Sequence, residues 1–102
     1  MNLVLLGQVE RGLVVALQDA FSDARRSPRD IVWGWERPDQ GAKPQFNVDD
    51  LLMVLAEDEH AQAWREHLLG RELGFQVAHG QSHTLIENIR YAWGRHARSR
   101  SD

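Results

Sequence analysis

The sequence predicts a small α/β layered domain: a four-stranded, largely parallel or mixed sheet with three helices, in the order β-α-β-β-α-β-α. Three observations carry this. Residues 51–79 read as strand, helix, strand. The apolar run Leu51-Leu52-Met53-Val54-Leu55-Ala56 is followed by a helical stretch reaching Leu73, and then by Phe75-Gln76-Val77-Ala78-His79. Residues 3–26 repeat the strand-then-helix pattern. The leading apolar runs of both units are short and unbroken rather than alternating, as suits strands covered on both faces.

Leu3 to Leu6, closed by Gly7, is the first strand. Val9 to Arg26 is the first helix, with Leu13, Ala16/Leu17, Ala20/Phe21 and Ala24 on one face and Asp19, Asp23, Arg25 and Arg26 mostly off it. Ser27-Pro28 stops it, because the residue before proline avoids helical backbone angles. Asp30 to Glu36 is the second strand. Under period-2 alternation Ile31, Trp33 and Trp35 share a face, Val32 takes the other, and Gly34 marks a bulge or a close backbone approach. Arg37 to Asp50 has no periodic pattern and contains Pro38, Gly41 and Pro44. Irregular stretches this long are mobile or functional.

After the third strand, Ala61, Trp64, Leu68, Leu69 and Leu73 form the buried stripe of the second helix. Arg65, Glu66, Arg71 and Glu72 face water. Gly70 weakens the helix, Gly74 is placed for a left-handed C-terminal residue, and Phe75 makes the accompanying apolar contact. Phe75 to His79 is the fourth strand. Thr84-Leu85-Ile86-Glu87 matches a capping box and opens the third helix, whose apolar face runs through Ile89 to Trp93. The helix frays after Gly94, so residues 1–94 are read as one domain and residues 95–102 as a disordered basic tail. The loop between strands two and three leaves two topologies. If it makes an antiparallel pair, Gly7 lies on the rim opposite Asp58 and His79. If it carries the chain back across the sheet, the ends of strands one, three and four share a rim.

Composition bounds the chemistry. The chain has 102 residues, 42% of them hydrophobic, with four Trp and no cysteine. Disulfides, thiolate metal sites and cysteine nucleophiles are excluded. The residues up to Gly7 have no basic segment, and their apolar run is too short for a leader or a membrane span, so a cytoplasmic protein without membrane contact is expected. The net charge of −3 is unevenly spread. From Arg90 onward four arginines face one aspartate, whereas the preceding residues hold eight cationic and fourteen acidic side chains.

In open α/β sheets ligands bind at the carboxyl ends of strands. Glu57, Asp58, Glu59 and His60 follow the third strand; His79, Gly80, Ser82 and His83 follow the fourth. Carboxylate and imidazole together can bind a divalent metal or exchange protons, and Gly80 with free amide groups beyond it can hold a phosphate. Each residue also has an ordinary role as a helix cap, dipole partner or solvated loop residue. Their spacing matches no metal motif, so no metal and no cofactor are assigned. Gly7-Gln8-Val9-Glu10-Arg11-Gly12 lacks the glycines of a dinucleotide loop and the Gly-Lys-Ser/Thr end of a P-loop, and Glu10 would repel phosphate. Ser82 is not in a nucleophile elbow.

Trp33, Trp35, Arg37 and Phe46 make a candidate partner surface, set against the plainer role of the two Trp as core residues. Arg90, Arg95, His96, Arg98 and Arg100, interleaved with Tyr91 and Trp93, are a candidate nucleic-acid contact. With no complete catalytic constellation, the chain reads as a non-enzymatic interaction or regulatory module that binds a protein partner or self-associates. The alternatives are a small hydrolase or phosphate- or metal-binding protein, and nucleic-acid binding through the tail.

Overall fold

The computed structural model describes residues 1–22, 25–39 and 45–101. Asp23, Ala24, Gly41 and Pro44, to which the sequence reading assigned roles, lie outside them. The elements are β1 (Leu3–Leu6), α1 (Arg11–Phe21), β2 (Ile31–Trp35), β3 (Leu51–Leu55), α2 (Ala61–Gly70), β4 (Gln76–Ala78) and α3 (Ser82–Ser101). The sheet order is β2-β1-β3-β4, and all three pairings are parallel. The chain therefore crosses back between β2 and β3, and the antiparallel alternative is excluded.

β1 and β3 lie in the middle of the sheet, and all their side chains are buried. Leu3, Leu5, Leu51, Met53 and Leu55 join Leu17, Phe21, Ile89 and Trp93 on the face covered by α1 and α3. Val4, Leu6, Leu52 and Val54 join Ala61, Trp64 and Leu68 on the α2 face. The unbroken apolar runs thus supply two cores. The two innermost Trp each satisfy the indole N–H on a carbonyl, Trp64 Nε1 donating to Glu36 O at 2.8 Å and Trp93 Nε1 to Arg26 O at 3.0 Å. This is the usual condition for burying an indole.

β2 departs from plain alternation. Its register with β1 runs Leu3 to Ile31, Val4 to Val32, then Leu6 to Trp35, so β2 carries one extra residue. Gly34, with φ of +118°, absorbs it as a bulge. Trp33 consequently packs with the α1/α3 core and Trp35 with the α2 core, not on one face.

Helix ends differ from the periodic reading for local reasons. α1 ends at Phe21 rather than Arg26. Ser22 turns both its N–H (3.1 Å) and its hydroxyl (2.6 Å) onto Asp19 O, and the Ser27 hydroxyl caps Phe21 O at 2.9 Å. α2 ends in a Schellman turn: Leu73 N donates to Leu68 O at 2.9 Å and Glu72 N to Leu69 O at 3.1 Å. The left-handed residue is Glu72, φ +58°, not Gly74, and both Leu73 and Phe75 pack against the core cluster that holds Leu68. Leu69 is exposed, while Arg65 is half-buried instead of solvated.

α3 starts two residues before Thr84, so Thr84 is not its cap and no capping box forms. The Thr84 side chain packs over Gly80, and Glu87 pairs with His83. Residues 95–101, read as tail, continue this helix. Ala97 is buried in the core, and His96 Nε2 lies 2.8 Å from Asp49 O. No described helix is long and apolar enough to cross a membrane.

Candidate functional site at the carboxyl rim

Parallel strands put all four carboxyl ends on one rim. β1 leads to α1 on one face and β3 leads to α2 on the other, so neighbouring strands send their connections in opposite directions. That is the arrangement that opens a crevice in a parallel sheet. A cleft of about 920 Å³ lies there, between the N-terminal ends of α1 and α3. Its apolar lining comes from Leu13, Ala16, Leu55, Ala78, Leu85 and Ile86. Its polar lining comes from Gln8, Glu10, Glu57, Asp58, Glu59, Gln81, Ser82 and His83.

Asp58 ties the crevice together. Its Oδ2 accepts from the backbone N–H of Gln8, and its Oδ1 from the backbone N–H of His60 at 2.7 Å. One carboxylate thus joins the loop after β1 to the turn before α2. The contact needs Gly7: a Cβ there would stand 3.0 Å from Asp58 Oδ2, and the φ of +123° is one that side chains avoid. Both Asp58 oxygens are therefore engaged by backbone amides.

The imidazoles do not converge. His60 Nε2 lies 3.5 Å from Glu59 Oε1, and His83 Nε2 lies 3.1 Å from Glu87 Oε1 on the exposed face of α3. His79 is exposed and does not line the cleft. Gly80 and Ser82 do line it, with Glu57 and Asp58. Among the described residues no three His, Cys, Asp or Glu side chains are grouped to hold a metal ion.

Charge is the cleft's clearest property. Four carboxylates line it, from Glu10, Glu57, Asp58 and Glu59, and no described lysine or arginine does. Glu10 is the α1 N-cap residue, yet its side chain makes no capping bond. Gln8, Glu10 and the α1 residues Leu13 and Ala16 were not among the sequence candidates. Their signal was topological: they belong to the cleft only once β1 and β3 are parallel neighbours.

The other candidate surface is dispersed. Trp33 and Trp35 are half-buried on opposite faces, Phe46 packs with Trp35 on the α2 side, and Arg37 is exposed with Asp39 Oδ1 at 3.7 Å. Comparison with protein-family models, curated proteins and solved structures finds no match to this chain.

Proposed function

We propose that this chain is a non-enzymatic interaction module, and that its carboxyl-rim cleft accepts a cationic, partly apolar segment of a partner protein. The observation that carries the reading is the lining: four carboxylates, no described lysine or arginine, and an apolar floor. A Lys or Arg side chain suits such a site, since its methylene stem covers apolar surface while its head meets the carboxylates. The floor supplies most of the affinity, because exposed ion pairs are worth about 0–1 kcal/mol each. A phosphate ligand is disfavoured by the same carboxylates. Hydrolysis through Glu57, Asp58, His60, His79 and His83 is disfavoured by geometry, since Asp58 is spent on backbone amides and His60 and His79 stand outside the cleft.

Site-specific photocrosslinking in cells tests this. A crosslinker at Gln81, in the cleft, is compared with one at Gln62, on the exposed side of α2. A partner peptide rich in Lys or Arg, captured from position 81 alone and lost in Glu57→Lys/Glu59→Lys, supports the reading. Capture of an acidic segment, capture that survives the double charge reversal, or no capture specific to position 81 overturns it.

A further inference from the structure

A second surface lies along the same α1/α3 seam, at its other end. A groove of about 560 Å³ is lined by Arg25, Arg26, Arg90 and Arg98, with Phe21, Tyr91 and Trp93 among its other walls. Four of the chain's twelve cationic side chains meet here, and no described lining residue is acidic. Two of these arginines come from beyond α1, far in sequence from the C-terminal arginines.

Both walls are held in place. The segment after α1 is pinned to α3 by Trp93 Nε1 donating to Arg26 O at 3.0 Å, and by Arg26 Nη1 donating to Ala97 O at 3.5 Å. Phe21 meets Trp93 edge to face, with ring centroids 6.2 Å apart. Gly94 adds no side chain between the walls. Arg26 and Arg98 are also engaged within the protein, whereas Arg25 and Arg90 are exposed and open to a ligand. In the groove wall, Tyr91 is 67% exposed and carries the Arg95 guanidinium 5.9 Å from its ring centroid.

We propose that this groove binds single-stranded nucleic acid, with its phosphates on the arginines and a base stacked on Tyr91. Length decides between a strand and a lone nucleotide. Arg90 and Arg98 are eight residues apart on one helix, roughly 12 Å along its axis. Successive phosphates of a strand can each meet a different arginine along that spread, with Arg25 on the other wall. An exposed aromatic ring among arginines is the arrangement that binds unpaired bases without sequence readout. The chain's net negative charge does not prevent this. Of the cleft's carboxylates, Glu10 stands at the opposite end of α1 from Phe21, about 16 Å away by helix rise, which exceeds the screening length of about 8 Å at physiological salt, and Glu87, three residues before Arg90, is paired with His83.

The test is fluorescence anisotropy of a labelled dT12 strand with the full chain, from 20 to 200 mM NaCl. Binding is expected, with a log–log salt slope of about −2 to −3 for three or four phosphates. Arg25→Glu/Arg90→Glu should weaken it at least tenfold, and Tyr91→Ala about fivefold, the low end for losing one stacked base. Arg71→Glu, at the end of α2, should leave it unchanged. All three altered proteins must melt like the parent, as expected for exposed positions. No binding at 20 mM salt, equal binding of a 12-base-pair duplex, equal competition by polyglutamate, or indifference to the groove substitutions would each overturn the proposal.

Discussion

Removing the Asp58 carboxylate should cost this domain stability, and the size of the loss separates a structural from a ligand-holding role. Asp58 accepts two backbone N–H groups, from Gln8 across the crevice and from His60 at the start of α2. A hydrogen bond to a charged group contributes about 1.5–3 kcal/mol. Both bonds lie in partly solvated surroundings, so about 1 kcal/mol each is the appropriate figure. Asp58→Ala should therefore lose about 2 kcal/mol, set against a total of roughly 5–15 kcal/mol for a domain this size. Asp58→Asn keeps one good acceptor and turns an NH2 toward the other amide, so it should lose about half as much. In melting temperature, Asp58→Ala falls by roughly 8–16 °C at about 4–8 °C per kcal/mol. Urea denaturation followed by Trp fluorescence, with the slope checked for constancy, measures the same loss. A carboxylate held for a ligand would behave oppositely, because neutralising one of four crowded acids leaves stability unchanged or raises it. A loss under about 0.5 kcal/mol for Asp58→Ala would refute the structural argument.

Three substitutions and one truncation test the local readings. Gly34→Ala should destabilise by roughly 1–3 kcal/mol, because it forces a side chain into a φ of +118°, whereas Gly74→Ala, with open space around it and no positive φ, should be neutral or slightly stabilising; paired thermal melts decide. Glu72→Gly should stabilise by about 1 kcal/mol, since Glu72 holds the left-handed position that closes α2; a lower melting point would mean that its side chain contributes something the turn does not reveal. Truncation after Gly94 should lower stability by about 2 kcal/mol, through loss of buried Ala97 and of the His96 and Arg26 hydrogen bonds; an unchanged urea midpoint would show that residues 95–102 contribute nothing to the domain.

The fold class was legible because each signal was local and redundant. Leu3–Leu6 and Leu51–Leu55 have no alternation, so only a sheet covered on both faces can hold them. Trp64 and Leu68 fall at helical spacing and are buried as read. Local competition was harder to see. Ser22 and Ser27 end α1 early by taking backbone carbonyls, which no hydrophobic period records. Glu72 takes the left-handed position two residues before the glycine that looked suited to it. Gly34 reverses Trp35 by adding one residue to the strand, and a one-residue slip moves a side chain to the opposite face. The site was half legible. Strand ends located Glu57, Asp58, Gly80, Ser82 and His83, but only the order β2-β1-β3-β4 brings Glu10 and the α1 face beside them.

The separation of charge along the α1/α3 seam follows from the sheet being parallel. Parallel strands linked by helices align every helix with its N-terminus at the carboxyl rim. Each N-terminus carries a partial positive charge and each C-terminus a partial negative one. Glu10, Asp58 and Glu59 stand just before helices, and Arg98 and Arg100 lie in the last turn of α3, so each complements a helix end. These choices put Glu10 before α1 and Arg98 in the last turn of α3, and the cleft and the groove take their opposite linings from those two ends of the seam. The acidic cleft and the basic groove are therefore two results of one topology, and binding at each should respond to salt without competing with the other. A Lys- or Arg-bearing peptide that displaced dT12 without binding the strand itself would contradict that independence.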